Sequence, residues 1–236
     1  MKKFMSGNME YEAMLNKYSL KDGIKAFGLY AITMILTILI GMSFLTNIRG
    51  EILTAFQVLE SFIEIFICLI FIKASTESLK TIGLTIKNLK KSIIMGIIGA
   101  ILLTLLLALL ALAKGSLKIN SFMAMQSAIV MLTFAVGAID EEIIFRGYIQ
   151  TRIFGIVRNR LLGTIFNSIL FLLIHYPVKW IAYGNISLTV IPAFYATFLL
   201  LLHFGCDYVY KKTNCLWGSI VLHFLYNVFQ AMLVIT

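Results

Sequence analysis

The chain has 236 residues, of which 60% are hydrophobic and only 13% charged, with a mean hydropathy of +0.94; a water-soluble domain is about 45–50% apolar. Its net charge of +9 does not point to nucleic acid, because the sequence offers no soluble domain with a basic face on which a duplex could dock. A membrane barrel is excluded as well, since alternating apolar and polar strands are missing and long apolar runs, in which only helices satisfy their own backbone, recur instead.

The first 25 residues are polar and carry Lys2, Lys3, Lys17, Lys21 and Lys25. They precede any apolar run, so a cleavable signal peptide is not expected and the first span is expected to stay in the mature protein. Apolar spans are then expected at residues 26–47, 54–72, 92–113, 122–145, 163–178, 186–207 and 216–235. The expected fold is thus all-α, a polytopic bundle of about seven transmembrane helices forming one integral membrane domain over residues 1–236. Lys and Arg fall between these spans, and alternate connections hold 16 against 4 of them. By the positive-inside rule this places the N-terminus in the cytoplasm and the C-terminus outside, in a membrane of the bacterial cell type. The longest connection, 73–91, has room for a short interfacial amphipathic helix. Cys68, Cys206 and Cys215 form no CxxC pair, and the first two lie in apolar runs as small hydrophobes.

A charge at the centre of a bilayer costs about 2.5–3.5 kcal/mol on insertion scales, so each one needs a partner or a function. Such residues are few: Glu60 and Glu64, the run Asp140-Glu141-Glu142 with Arg146, then His175, His203, Asp207 and His223. The densest group is GAIDEEIIFRG, residues 137–147. Glu142 and Arg146 are at i and i+4 and can neutralise each other on one helix face. Glu141 is turned about 100° away and is left free to face a cavity. In FNSILFLLIHYP, Asn167, Phe171 and His175 share roughly one face, and in HFLYN, His223 and Asn227 are at i and i+4. A structural polar clamp between helices would look similar. Three polar faces in one small bundle are nevertheless obvious partners for one another. Asp207 and Lys211 read as a pair near a helix end, His203 as packing, and Glu60 and Glu64 as awaiting a cation from a linker.

The ordered set EExxxR (Glu141, Glu142, Arg146), FxxxH (Phe171, His175) and HxxxN (His223, Asn227), with the lead-in TNCLWGSIVLHFLYN, resembles the CPBP or Abi family of CAAX proteases and bacteriocin-processing enzymes. That family includes the type II CAAX prenyl endopeptidases. The resemblance covers roughly residues 122–230, while the first three spans match only in being hydrophobic. It implies an intramembrane endopeptidase acting on a CAAX-type, leader-peptide or membrane-associated substrate, with a peptide or lipidated protein and membrane lipids as partners.

Within that resemblance Glu141 is the expected general base on a water also held by His175. His223 and Asn227 are the expected donors to the oxyanion. Glu142 and Arg146 support them, and Phe171 contacts substrate. No cofactor is required on this reading. Zinc held by Glu141, His175 and His223 is the variant to weigh, since three protein ligands and a water make a catalytic zinc site, although no HExxH is present. Depth raises a difficulty, because His175 stands about 18 Å along a straight fifth span while Glu141 lies at the end of the fourth. The fourth helix is therefore expected to run past Phe145 with Arg146 snorkelling, the fifth to begin later than Leu162 or tilt, and the cavity to open to the cytoplasm. A non-enzymatic immunity or scaffold protein is the alternative reading, and a small transporter a third, disfavoured by the short chain and the lack of a repeat.

Overall fold

The computed structural model describes residues 7–43, 50–113, 115, 117–119 and 128–235. Lys2, Lys3, Arg49, Lys114 and residues 122–127 of the expected fourth span lie outside the described residues. Ten α-helices are present among the described residues: α1 Met9–Leu15, α2 Leu20–Ser43, α3 Glu51–Ala74, α4 Leu89–Ala113, α5 Ala128–Glu141, α6 Thr151–Ile153, α7 Arg160–Leu173, α8 Tyr176–Tyr183, α9 Ala193–Thr213 and α10 Trp217–Met232. Between α5 and α6 the chain stays helical but widens into a π-helix over Glu142–Gln150. Two short strands, β1 Leu117–Ile119 and β2 Leu233–Ile235, pair antiparallel with Ile119 opposite Leu233.

Among the described residues, five helical segments are long and apolar enough to cross a membrane: Leu20–Ser43, Glu51–Ala74, Leu89–Ala113, Arg160–Tyr183 and Ala193–Thr213. The expected fourth and seventh spans correspond to the shorter helices α5 and α10, so the seven-span count is not reached by length and composition. In the most apolar stretches of α2, α3 and α4 only 17–22% of residues are inside the bundle, against 50% and 44% for Arg160–Tyr183 and α9. An outer wall that turns Leu and Ile outward suits lipid as its solvent, and the chain is an integral membrane protein.

Local chemistry moves several expected boundaries. Helix α2 starts six residues early because Asp22 accepts hydrogen bonds from Ser19 N (2.9 Å) and Oγ (2.7 Å), tying down the first turn. The long apolar stretch 160–183 is not one straight rod: α7 ends at Leu173, His175 sits at the junction, and Pro177 opens α8. Pro192 holds back the start of α9, which begins seven residues later than expected. The connection 73–91 holds no amphipathic helix; it makes a 3₁₀ turn, Leu79–Ile82, whose Ile82 is fully buried.

The connections expected to be rich in Lys and Arg meet at one end of the bundle. Arg160 pairs with Glu12 (2.9 Å), Lys87 with Glu10, and Arg152 with Glu77. Backbone bonds from Asn8 N to Lys211 O (2.8 Å) and from Leu216 N to Gly83 O (2.9 Å) close the same cluster.

The tightest helix crossing is between α4 and α10. A Cβ added at Gly96 would stand 2.2 Å from Gly218 O, and one at Gly218 would stand 2.2 Å from Ser92 O. Ser92 Oγ donates to Cys215 O (2.7 Å) and accepts from Gly218 N (2.9 Å). Without a hydrophobic driving force between helices in lipid, such backbone-to-backbone approach and buried hydrogen bonding hold α10 in place. Replacing Gly96 by Leu or Gly218 by Val is expected to cost about 1–3 kcal/mol or more through overpacking. Gly205→Ala, where the new methyl meets only ordinary contacts at 3.5 Å, is expected to be neutral or stabilising. Thermal unfolding of the three purified variants in detergent checks the contrast.

Candidate active site

Glu141 is the last residue of α5 and Glu142 the first of the π-helix. Glu142 and Arg146 are both fully buried, with Arg146 Nη1 3.0 Å from Glu142 Oε1. Arg146 does not snorkel. The two groups form an ion pair without hydrogen-bond alignment, and the guanidinium carbon lies 4.2 Å from the centre of the Phe171 ring. A cation–π contact thereby covers a charge that solvent cannot reach.

His223 of α10 joins this pair from 81 residues away, its Nδ1 2.8 Å from the same Glu142 Oε1. A carboxylate held beside a guanidinium accepts rather than donates, which assigns the proton to Nδ1. The other nitrogen, Nε2, lies 3.8 Å from Glu141 Oε2, too far for a hydrogen bond. Glu141 is 32% exposed and has no cation beside it apart from this imidazole. The two adjacent glutamates therefore have opposite surroundings: Glu142 is enclosed and engaged through Oε1 by Arg146 and His223, Glu141 is partly open.

His175 shows the same logic at the α7–α8 junction. Its Nδ1 is 2.8 Å from Phe171 O, a carbonyl that can only accept, so Nδ1 carries the proton and Nε2 is left with its lone pair. Phe171, expected to touch substrate, is fully buried beneath the site. Its ring packs against His175 (centroids 5.1 Å), His203 (5.2 Å) and His223 (6.3 Å).

Glu141, His175, His223 and Asn227 line a cavity of about 880 Å³ whose walls include Phe134, Phe194, Tyr195, Phe198 and Tyr226. Glu141, His175 and Asn227 also line a second cavity of about 340 Å³. The depth difficulty is resolved by two departures from straight rods: the π-helix carries the fourth element past Phe145, and the break at His175 bends the fifth. Helix α7 begins at Arg160, not later than Leu162. The larger cavity takes residues from the start of α3 (Gln57), the end of α4 (Leu107), the start of α9 (Phe194) and the end of α10 (Ala231). These are the helix ends away from the Lys- and Arg-rich cluster, so the expected opening toward that cluster is not what the lining shows.

Sequence reading missed the layer beneath. Gln150 of the π-helix, fully buried, donates to Asp207 and accepts from Asn167 Nδ2 (3.0 Å), which also donates to Phe145 O (3.2 Å). Asp207 meets Lys211 Nζ at 2.7 Å near the end of α9, the pair expected there, and both side chains are at most 5% exposed. A lone Gln eight residues after Glu142 in an apolar run was the available signal. His203 is wholly buried against Phe171, with neither ring nitrogen hydrogen-bonded.

Among the described residues no three His, Cys, Asp or Glu side chains are placed to hold a metal ion. Nδ1 of His175 and of His223 is engaged by a carbonyl and a carboxylate, which leaves Nε2 of each free, a disposition that metal-binding histidines share.

Removing one member of the buried pair leaves the other uncompensated, at a cost of roughly 3–5 kcal/mol. Glu142→Gln and Arg146→Met are each expected to lower thermal stability severely, and the double variant less than their sum. A double-mutant cycle on melting in detergent measures that coupling.

No curated protein and no solved structure matches the chain. Residues 123–229 match the family model described as type II CAAX prenyl endopeptidase Rce1-like. That segment contains all three motifs and every residue of the cluster just described, from Glu141 to Asn227. Over residues 123–229, a little under half of its length, the chain is thus similar to the Rce1-like family of type II CAAX prenyl endopeptidases.

Proposed function

We propose that the chain is an intramembrane endopeptidase in which Glu141 activates a water for attack on a peptide bond of a CAAX-type or other membrane-associated substrate. The observation that carries this reading is the asymmetry of the two glutamates. Glu142 is held by Arg146 and His223, whereas Glu141, next to it in sequence, faces the cavity with a free carboxylate edge.

In the proposed reaction Glu141 takes a proton from a water that also donates to His175 Nε2, and the hydroxide oxygen bonds to the substrate carbonyl carbon. The carbonyl oxygen becomes an oxyanion, met by Asn227 Nδ2 and by His223 Nε2. With Nδ1–H committed to Glu142, Nε2 is the nitrogen left for this task, and it donates there when it too carries a proton. Collapse breaks the carbon–nitrogen bond, and Glu141 returns its proton to the departing amine. Donors fixed in a low-dielectric cavity need no reorganisation during this step, which makes each worth more than in water. Phe171, Arg146 and Glu142 position the two imidazoles without touching substrate. The aromatic walls of the larger cavity suit an apolar or lipidated group beside the scissile bond. The Lys- and Arg-rich end is the cytoplasmic one on this reading, by the positive-inside rule.

Glu141→Gln is expected to melt like wild type and to cleave nothing. Asn227→Ala is expected to lower kcat about 10²–10³-fold, as loss of one oxyanion donor does. Wild type and both variants, purified in detergent, are incubated with a lipidated CAAX peptide and a pool of membrane-derived peptides, and new termini are read by mass spectrometry. A wild type that cleaves no peptide, or a Glu141→Gln that still cleaves, sinks the protease reading and moves the polar cluster to an immunity or scaffold role. Activity kept through exhaustive chelation is the result expected of a metal-free site; activity lost to chelation and restored by zinc overturns it.

A further inference from the structure

The smaller cavity, about 340 Å³, shares Gln57, Phe134, Glu141, His175 and Asn227 with the larger one, so the proposed reacting groups stand at a waist between two chambers. The chambers differ in chemistry. The larger is walled by aromatic rings, while the smaller is lined by four carboxyl groups, those of Glu60, Glu64, Asp140 and Glu141.

Eleven acids occur in the chain. Glu10, Glu12, Asp22, Glu77, Glu142 and Asp207 each have a Lys or Arg within ion-pair distance among the described residues. Glu60, Glu64 and Asp140 have none, although they lie where a charge is most expensive. Among the described residues no linker cation makes the ion pair expected for Glu60 and Glu64. Lys179 is the one cation among the described lining residues, and it makes no ion pair with them. Glu64 and Asp140 are 8% and 5% exposed, and they lie carboxyl to carboxyl with Ser61 beside Asp140. An oxygen of each, Glu64 Oε1 and Asp140 Oδ1, still has no hydrogen-bond donor.

We propose that this acidic chamber is a substrate subsite that takes the cationic side chain of a Lys or Arg close to the scissile bond. The proposal rests on the protease reading above. An ammonium or guanidinium entering the chamber would supply the donors and the charge that Glu60, Glu64 and Asp140 lack. A metal ion is the poorer occupant, since no three of the described acids and imidazoles are placed to hold one. A long flexible side chain can instead meet the carboxyls one at a time along the chamber. On this arrangement the substrate lays an apolar group on one side of the waist and a basic residue on the other.

The test uses the full chain in nanodiscs and a peptide series from a cleaved substrate, with Lys, Arg or norleucine at each of the four positions either side of the cut. Wild type is expected to prefer the Lys or Arg peptide at one position by about tenfold or more in kcat/KM. That preference is expected to persist at high salt, because buried charges are screened little. In Glu64→Gln/Asp140→Asn the ratio is expected to fall to near one, and in Glu60→Gln to fall partway, which serves should the double variant not fold. A wild type that cleaves charged and neutral peptides alike at every position overturns the subsite and leaves the protease reading intact. So does a preference that survives in the variants. Binding of the same fluorescently labelled peptides to Glu141→Gln protein separates the two ideas. Lys-dependent binding lost in Glu141→Gln/Glu64→Gln supports the subsite independently of turnover, and charge-blind binding removes it.

Discussion

Everything in the candidate site hangs on one carboxylate, that of Glu142. It is fully buried, it faces Arg146 at 3.0 Å, and it accepts from His223 Nδ1 at 2.8 Å. A single oxygen thus joins the π-helix to α10, two elements 81 residues apart. Burying an ion pair is a poor way to gain stability, because desolvation consumes the Coulombic gain. What the pair supplies is position: it fixes which nitrogen of His223 carries a proton and where the other points, and so defines the face that Glu141 shares. Phe171 completes the arrangement, its ring lying against the guanidinium and three imidazoles at once.

Such a site needs a backbone that does not shift, and two features provide it. The first is the contact of α4 with α10 through Ser92, Gly96 and Gly218, where there is no side chain to rearrange. His223 lies only five residues beyond Gly218, so the place of its ring follows from that crossing. The second is the π-helix, which lets Glu142, Arg146 and Gln150 all project into the bundle while a Cβ added at Gly147 would stand 3.0 Å from Ile82 O. A π-helix has poorer hydrogen-bond geometry than an α-helix and recurs at functional sites. Here its inward groups are held by the network of Gln150, Asn167, Asp207 and Lys211.

How much of this was legible in the sequence depended on distance along the chain. The Glu142–Arg146 pair was readable because i and i+4 on a helix face each other whatever the rest of the fold does. That Glu141 would be the free one followed from the same geometry. The bond from His223 to Glu142 was not readable, since three polar faces can meet in several ways and spacing alone does not choose among them. The π-helix left no trace of its own, because Glu142, Arg146 and Gln150 recur at a spacing of four that an α-helix also places on one face, and a change of pitch cannot be seen in that spacing. The break at His175 had a cue in Pro177, but a proline does not say whether a membrane helix will kink or stop. Span ends drifted wherever a polar group found a local partner, as Ser19 and Asp22 did for each other.

Among the described residues, the acids at the Lys- and Arg-rich end and those inside the bundle follow a consistent rule with one exception. At the Lys- and Arg-rich end each acid has a cation: Glu10 with Lys87, Glu12 with Arg160, Glu77 with Arg152. Deeper in the bundle, Glu142 and Asp207 are matched by Arg146 and Lys211 one turn along the same helix. The exception is the wall formed by Glu60, Glu64 and Asp140, together with the open Glu141 at its edge. An apolar medium makes unmatched acids costly, and shared protons offset only part of that cost. A bundle that matches its other buried acids within four residues could have matched these in the same way. That the buried acids beside Glu141, the base proposed above, are left without a cation among the described residues is the pattern expected when the missing charge arrives with a substrate.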